Sequence, residues 1–413
     1  MPTDALINAI LMSFHLRGRL AVTLASMIAA EFRRAKLAVT LTFILNGLVV
    51  GSFVSRLPDI KAQLEISNAT LGTALLFSSI GVLLALGPSG KFCAKYGSAP
   101  VVFRASILVA ISTVLLGLVI NFSWFCFSLF LFGFVLAFQD VAMNSHAVAL
   151  EHKSDKRMLS VFHGMFSLGG FAGGLVGGVF SQAKITFQLQ EIVMAAFVTA
   201  VAIFAKTRWL PAAADKHDFV KEERSKRRPK VLWVLGFFGF CAALSEGSAG
   251  DWGGILTRET FHATHFVSAL PFIAFSATMV IGRFSGDRLA HRYGAPKILS
   301  TGGAIASLGL AVGLLIGNNF GVILGWLFLG LGLSVVIPLL FSAAGTIAAT
   351  RFKGQIAPSQ AVAIVSGISY FGFIVGPPTL GFLADIFELR WAMFVPVVLV
   401  SFLIASSRFA KTD

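Results

Sequence analysis

Charged side chains and cysteines are scarce in this chain of 413 residues. Asp, Glu, Lys and Arg together make up 13% of it, whereas hydrophobic residues make up 56%, a proportion too high for a single soluble core of this length. The three cysteines, Cys93, Cys126 and Cys241, stand far apart, without the CxxC or Cys/His spacing of a metal site. The composition therefore argues against a disulfide framework or a zinc site and indicates an integral membrane protein.

Sequence motifs of ATP use and of catalysis are also missing. The chain contains no GxxxxGK(S/T) phosphate loop, and the loops between its apolar runs are too short for a soluble catalytic domain. No metal-ligand cluster and no set of nucleophile, base and orienting residue is visible. We therefore predict a protein that is not an enzyme, has no catalytic residues, and binds neither a metal nor another cofactor.

Long apolar runs separated by short polar loops are the main positive feature. Each run has roughly 20 residues, the length of an α-helix that crosses a bilayer. Only helices and closed barrels satisfy the backbone in lipid, and the runs lack the alternation of every second residue that barrel strands show. We predict an all-α membrane protein with twelve transmembrane helices. The predicted spans are 37–55, 68–88, 100–120, 122–148, 160–181, 189–207, 231–252, 265–285, 298–317, 320–343, 360–382 and 391–408.

The two halves of the chain repeat each other at an offset of about 200 residues. The tripeptide Lys-Tyr-Gly at 95–97 recurs as Arg-Tyr-Gly at 292–294, shifted by 197 residues, and Gly169 recurs as Gly372, shifted by 203. Duplicated membrane halves are the usual plan of secondary transporters, whose substrate site lies between the halves. We predict two pseudo-symmetric six-helix halves with a substrate site at their interface.

The predicted halves leave two further segments. The N-terminal half covers 37–208, the C-terminal half covers 231–413, and 209–230 is a polar, basic linker. Residues 1–36 hold short apolar stretches but lack the basic start and small-residue cleavage site of a signal peptide. This N-terminal extension is either an interfacial helix or a stretch of residues upstream of the true start.

Positive charge is strongly one-sided in this topology. The formal net charge is +14, and all but five of the 33 Lys and Arg residues lie on one side of the predicted spans. Positively charged loops are retained in the cytoplasm, so we predict that both termini and the linker are cytoplasmic and that the basic side contacts anionic membrane lipids. The charge thereby marks topology, and no nucleic acid is predicted as a partner. The five exceptions are Arg56, Lys61, Lys184, Arg258 and Arg390.

The loops after the second and eighth spans share a pattern. Residues 90–97 read Gly-Lys-Phe-Cys-Ala-Lys-Tyr-Gly, and residues 286–294 read Gly-Asp-Arg-Leu-Ala-His-Arg-Tyr-Gly. The chain here resembles the major facilitator superfamily, whose signature in these loops is Gly-x-Leu-Ala-Asp-Arg-x-Gly. The acidic position holds Ala94 in the first loop and His291 in the second, where Asp287 is a candidate substitute. The residues assigned to this conformational signature are Gly90, Lys95, Gly97, Gly286, Asp287, Arg288, Arg292 and Gly294.

Four further runs narrow the resemblance to the branch of fucose permease and related bacterial inner-membrane transporters. The resemblance implies the major facilitator fold, secondary transport by alternating access, a sugar or polyol as the favoured substrate, and a bacterial inner-membrane location. We also expect a monomer. The runs are 56–61, 140–144, 162–170 and 376–378.

Three acidic residues stand out inside predicted spans, where an ionisable group seldom persists without a role or a partner. Asp140 and Asn144, about one turn apart, share a face of span four, with Gln139 and His146 on a second stripe. One interpretation places Asp140 and Asn144 in a central cavity, where Asp140 takes up a proton or binds a substrate hydroxyl. The alternative is a buried acid that His146, His163 or another helix pins to hold the bundle together.

Span seven holds the other two acids, Glu246 and Asp251, among glycines. Four glycines within 247–254 weaken a helix, and broken helices in transporters expose backbone groups that bind ligands. A break here would bring the two carboxyl groups, about 140° apart on a regular helix, closer in direction. The alternative is that the glycines permit close helix packing.

Three polar residues complete the predicted site. Asn46 occupies the repeat position of Glu246 and can bind a hydroxyl but cannot carry a proton. His163 could relay a proton, since histidine titrates near neutral pH, and a purely hydrogen-bonding histidine is the alternative. Tyr370 could stack on a sugar ring. The predicted substrate and proton-coupling residues are Asn46, Asp140, Asn144, His163, Glu246, Asp251 and Tyr370.

Together these features predict a secondary active transporter that moves a small polar solute, with the proton as coupling ion. A proton-driven exporter of drugs or metabolites is the alternative within transport, because a fold does not display direction. A non-transporting membrane sensor on a transporter scaffold is the alternative from another class, although the short loops supply no soluble output domain.

Overall fold

The structure, a computed structural model, describes residues 3–154, 158–215 and 229–410. Side chains are described from Ala29 onward, apart from those of Asp287, Ser407 and Arg408. The described residues are almost entirely helical and contain no strand, which confirms the all-α class. Within the same residues, twelve helices are long and apolar enough to cross a membrane. Each overlaps one of the predicted spans, so the predicted number of spans is confirmed as well.

The N-terminal half contributes six of the crossing helices. Its elements are α1 (Thr3–Val54), α2 (Leu57–Leu64), α3 (Asn68–Tyr96), α4 (Ser98–Gly117), α5 (Phe122–Ser154), α6 (Leu159–Gln182) and α7 (Phe187–Ala205). Local polar residues set several helix starts. Ser67 Oγ accepts a hydrogen bond from the Thr70 N–H at 3.2 Å, and Thr186 Oγ1 accepts one from the Leu189 N–H at 3.2 Å. These are N-cap residues, and they mark where α3 and α7 begin.

The C-terminal half repeats this plan with more interruptions. Its elements are α8 (Lys230–Asp251), α9 (Gly253–Ile255), α10 (His265–Tyr293), α11 (Ala295–Ile316), α12 (Asn319–Leu333), α13 (Val336–Thr350), α14 (Pro358–Phe387), α15 (Leu389–Ala392) and α16 (Phe394–Ser401). A π-helical turn covers Leu256–Thr260, and a 3₁₀ segment covers Phe402–Arg408. The tenth span, predicted as one run over 320–343, is interrupted at Ser334 and Val335 between α12 and α13.

The first helix is longer than its predicted span. The predicted extension 1–36 and the span 37–55 share one helix from Thr3 to Val54, in which the candidate membrane span begins at Ala29. Most of the predicted linker falls on 216–228, outside the described residues. The domain boundaries, and both alternatives for the extension, therefore stay predictions.

Two helix pairs join the halves: α6 packs along α10, and α3 packs along α14. Glycines on opposite faces of α6 make its contacts close. Gly173 lies against the backbone of α1 at Leu48, while Gly174 and Gly178 lie against side chains of α10. Small residues allow membrane helices to approach in this way. The α6 helix is therefore wedged between its own half and the other half.

Candidate functional site

One end of the bundle is closed by charged side chains that join the halves. The Asp59 carboxylate binds Arg258 of the other half, with 2.5 Å between Oδ1 and Nη2. Lys61 and Glu259 form a second ion pair across the halves, with 2.5 Å between Nζ and Oε1. We call this end, where α1 connects to α3 and α9 connects to α10, the closed end.

One interface pair, α3 and α14, is in contact near the closed end, and we call the opposite end of the bundle the open end. Near the closed end, Gly72 lies against the backbone of α14, and farther along Ser79 Oγ donates to the Phe373 carbonyl at 3.3 Å. Still farther along these antiparallel helices, a Cβ added at Gly87 or Gly367 would meet nothing within 4 Å. The contacts of Gly72 and Ser79 between α3 and α14 thus lie from the closed end to the middle of the pair.

A partly buried ion pair at the junction of the halves is the centre of the candidate site. Arg283 of α10 pairs with Glu246 of α8, with 3.4 Å between Nη2 and Oε1, and the two side chains are 15% and 19% exposed. The other terminal nitrogen, Nη1, donates to Ser167 Oγ at 2.6 Å and to the His163 carbonyl at 3.2 Å. Both acceptors lie on α6, so one guanidinium links an acid of the C-terminal half to a helix of the N-terminal half.

Three more of the predicted residues face this junction. On α5, Asn144 Nδ2 donates to Asp140 Oδ1 at 3.1 Å. On α14, Tyr370 lies within electrostatic range of both Asp140 and Glu246, and its ring packs against Phe373. Since Asp140 and Glu246 belong to different halves, Tyr370 lies between the halves. The structure thus brings Asp140, Asn144, Glu246 and Tyr370 to one region.

Asn46 lies elsewhere, inside the N-terminal half. Its Nδ2 donates to Gln139 Oε1 at 2.9 Å, and Gln139 Nε2 donates to Ser106 Oγ at 2.8 Å. Asn46 is only 3% exposed and Gln139 is completely buried. The polar stripe of α5 that carries Gln139 therefore bonds within its half, whereas the stripe of Asp140 faces the junction.

Replacing Asn46 with leucine should destabilise the protein more than it changes affinity for a solute. The leucine leaves the buried Gln139 amide oxygen without its donor, which costs about 1–3 kcal/mol. Thermal unfolding in detergent should show a lower midpoint, while KM for a transported solute should stay close to that of the unaltered protein. A large rise in KM at an unchanged midpoint would instead indicate direct contact between Asn46 and the solute.

The glycines of span seven pack against neighbouring helices and do not break the helix at the acids. The α8 helix continues through Glu246 to Asp251, and the backbone departs from it only at Trp252. Gly247 lies against the ring of Phe373. The hypothesis of a break that brings the two acids together is therefore wrong, since a regular helix keeps them about 140° apart. Asp251 is the last residue of α8, near the closed end.

The two histidines considered as partners of Asp140 have other neighbours. The ring of His163 packs edge-on against Phe43, with 5.4 Å between centroids. His146 Nδ1 shares a hydrogen bond with Ser98 Oγ at 2.6 Å. In the described part of the chain neither imidazole is hydrogen-bonded to Asp140, so the structure does not support a histidine that pins this acid.

The signature loops have the same backbone in both halves. Gly97 and Gly294 have φ angles of 81° and 84°, a region that favours glycine, and each joins two helices. Lys95 and Arg292 each lie over the ring of the following tyrosine, 5.2 and 5.3 Å from its centroid. The side chain of Asp287 lies outside the described residues, so its role as the substitute acid stays a prediction.

Arg283 and Glu191, both charged and within predicted spans, are not among the predicted site residues. Arg283 lies inside span eight, 265–285, but so near its end that it resembles a loop charge. Two features of the sequence point to Arg283: it is a cation within a predicted span, and the repeat position in the other half holds the apolar Leu86. Glu191 of α7 is completely buried and accepts a hydrogen bond from Gln190 Nε2 at 3.1 Å. Within the described residues, no group of three or more His, Cys, Asp or Glu could hold a metal ion.

Comparison with known proteins identifies the family. Residues 39–358 and 256–411 match the profile of the Major Facilitator Superfamily. The chain belongs to the Major Facilitator Superfamily. This transporter is 30% identical, over 373 residues, to an uncharacterized MFS-type transporter of Yersinia pestis, and the alignment covers 89% of this chain and 94% of that protein.

Solved structures share the fold of this transporter. An inward-facing bacterial homolog of the human lysosomal transporter Spinster aligns with a TM-score of 0.73 at 15% identity, over 91% of this chain and 95% of that chain. The E. coli fucose:proton symporter FucP aligns with a TM-score of 0.59 at 17% identity, over 92% of this chain and 99% of that chain. The predicted superfamily and its fold, with two pseudo-symmetric six-helix halves, are confirmed.

Proposed function

We propose that this transporter moves a small polar solute, a sugar or polyol by preference, and couples that movement to protons by alternating access. The ion pair of Glu246 and Arg283 carries the proposal. It lies at the junction of the halves, and one of its members is a carboxyl group that can gain and lose a proton. An ionisable residue in this position is expected to have a function.

Protonation of Glu246 would change the forces between the halves. The ionised carboxylate attracts Arg283 across 3.4 Å, and the neutral acid lacks most of that attraction. Arg283 would then be held mainly by Ser167 and the His163 carbonyl on α6. A proton on one carboxyl group would therefore alter a contact that spans the interface. Coupling of protons to a conformational change needs such a difference between the two states.

The side chains around the pair suit a solute rich in hydroxyl groups. Asp140 supplies hydrogen-bond acceptors, Asn144 supplies an amide, and Tyr370 supplies a hydroxyl and an aromatic face. FucP, which shares this fold, is a fucose:proton symporter. We extend that substrate class to this chain as part of the proposal.

We further propose a bacterial inner-membrane location, with both termini and the open end on the cytoplasmic side. All but five of the 33 Lys and Arg residues lie on one side of the predicted spans, and the exceptions include Lys61 and Arg258 of the closed end. Cytoplasmic loops carry the excess of positive charge. The transporter would act as a monomer, with its basic side against anionic lipid head groups.

Purified transporter in lipid vesicles tests the coupling. An imposed pH gradient should drive uptake of at least one member of a panel of sugars and polyols. Glu246→Gln should abolish that accumulation while exchange of the solute at equal concentrations continues, because glutamine keeps the shape of the side chain but does not titrate. Glu191→Gln, which removes a buried carboxyl group away from the junction, is the matched control and should leave uptake unchanged.

Other results would decide against the proposal. Full accumulation by Glu246→Gln would remove this residue from coupling. Proton-driven efflux of drug-like solutes, with no uptake of any sugar or polyol, would establish an exporter. An absence of any solute movement would favour the sensor.

A further inference from the structure

Two side chains at the closed end cap helices of the opposite half. Asp385, near the end of α14, accepts hydrogen bonds from the Asn68 N–H and the Ala69 N–H at the start of α3, each at 3.1 Å. Gln182, the last residue of α6, accepts one from the Phe266 N–H at the start of α10, at 3.0 Å. Each cap therefore joins one half to the other.

The two caps are one contact made twice by the internal repeat. Ala69 and Phe266 are 197 residues apart, and Gln182 and Asp385 are 203 residues apart. These offsets are the ones that relate the signature loops and the interface glycines of the two halves. Pseudo-symmetry therefore places one cap at each of the two helix pairs that join the halves.

Small residues bring each helix pair close enough for its cap. On α14, Gly381 lies so near the Asn68 carbonyl that an added Cβ would overlap it. Its repeat counterpart on α6, Gly178, lies against Ala269 of α10. The close approach that small residues permit is thus repeated together with the cap.

The capped N–H groups lack equivalent partners within their own half. The first N–H groups of a helix have no intrahelical acceptor, and the residue before the helix usually supplies one. At the start of α10, Thr264 forms no side-chain cap hydrogen bond. At the start of α3, Ser67 accepts from the Thr70 N–H, which leaves Asn68 and Ala69 to Asp385.

We propose that Gln182 and Asp385 form a two-point latch that holds the closed end shut. Because all three hydrogen bonds join the two halves, they must break when the closed end opens. The start of α10 then loses its side-chain cap, and the start of α3 keeps only that of Ser67. The Asp385 carboxylate also interacts favourably with the positive end of the α3 dipole. The inference rests on the alternating access of the proposed function, but on neither its substrate nor its coupling ion.

Distances between spin labels, measured by pulsed electron paramagnetic resonance, test the latch without any solute. Ile120 and Leu315 are exposed at the closed end, one on each half, and can carry labels as cysteines once the three buried native cysteines are replaced. Gln182→Ala and Asp385→Ala should each raise the ratio of long to short distances about fivefold, the factor for one typical N-cap. The double variant should raise it about twenty-five-fold, since separated sites act additively.

Two caps that do not cross between the halves, one in each half, provide matched controls. Thr186 accepts from the Leu189 N–H at 3.2 Å, and Asn318 Oδ1 accepts from the Gly321 N–H at 2.9 Å. Thr186→Ala and Asn318→Ala should lower the thermal midpoint but leave the label distances unchanged. Asp385→Asn, which keeps one acceptor oxygen, should recover most of the short distances that Asp385→Ala loses.

Two outcomes would overturn the latch. One is an unchanged distance distribution in the Gln182→Ala/Asp385→Ala double variant, and the other is an equal shift in the two control variants. Since the measurement needs neither solute nor proton gradient, a failure of proton-driven uptake in vesicles leaves it unaffected. Failure of the proposed transport function is thereby distinguishable from failure of the latch.

Discussion

Replacing Arg283 with glutamine is expected to reduce solute uptake by about a hundredfold, because loss of one partner of a buried ion pair costs about 3–5 kcal/mol. The variant leaves Glu246 without its cation, and it removes donors that reach Ser167 on α6. Because the two side chains are 15% and 19% exposed, we expect a cost at the lower end of that energy range. Uptake into vesicles should be slower, and the midpoint of thermal unfolding in detergent should be lower.

The double variant Glu246→Gln/Arg283→Gln distinguishes the loss of the ion pair from the effect of leaving one charge unpaired. Neutral amides at both positions remove the unpaired charge, so the thermal midpoint should recover toward that of the unaltered protein. Proton-driven accumulation should remain absent, because neither side chain then titrates. The four proteins form a double-mutant cycle, and simply additive losses of stability would contradict an interaction between the two residues.

An exposed ion pair supplies the matched control for the loss of Arg283. Lys153 pairs with Glu31 at 2.9 Å, but their side chains are 36% and 42% exposed, and such surface pairs contribute about 0–1 kcal/mol. Lys153→Gln should therefore leave uptake and thermal midpoint nearly unchanged. A loss as large as that of Arg283→Gln would mean that the position of the cation at the junction is irrelevant.

Replacing Gly173 with alanine is expected to leave little folded protein. The added Cβ would overlap the Leu48 carbonyl oxygen and come within 2.7 Å of the Ser52 backbone nitrogen on α1. Backbone atoms cannot rotate away as a side chain can, so α1 and α6 would have to separate along their contact. Overpacking typically costs about 1–3 kcal/mol and occasionally more, and a clash with two backbone atoms belongs at the upper end.

Gly87 and Gly367 are the matched controls for this substitution. A Cβ at either position meets nothing within 4 Å, and alanine is favoured over glycine in a helix interior by about 1 kcal/mol. Gly87→Ala and Gly367→Ala should therefore hold or raise the thermal midpoint and the yield of monodisperse protein in detergent. Equal tolerance of Gly173→Ala and Gly87→Ala would contradict the close packing of α1 on α6.

The spans could be predicted because each is a property of contiguous residues. An apolar run of roughly 20 residues must cross the bilayer as a helix, whatever its neighbours are. The interruption of the tenth span at Ser334 and Val335 has no such signal, since the apolar run continues through it. The break expected at the glycines of span seven lies at Trp252, after both acids, so α8 stays regular from Glu246 to Asp251.

The acids of the site could be singled out because a carboxyl group inside a span is costly. Their partners could not. Asn46 and Glu246 are repeat equivalents, yet Asn46 bonds Gln139 within its half while Glu246 pairs with Arg283 at the junction. Those contacts depend on how each helix is rotated about its axis, which the repeat does not specify.

The sequence by itself determined the membrane class, the twelve spans, the duplicated halves and the superfamily, since these follow from local hydrophobicity, repeat spacing and short motifs. Only the tertiary structure decided that Arg283 bridges the halves, that Asn46 stays within its own, and that Gln182 and Asp385 cap helices across the closed end. Hydrogen bonds between helices require both their rotation and their separation, and these arise from the packing of all twelve spans together. Residues far apart in the chain therefore become partners for reasons that no contiguous segment contains.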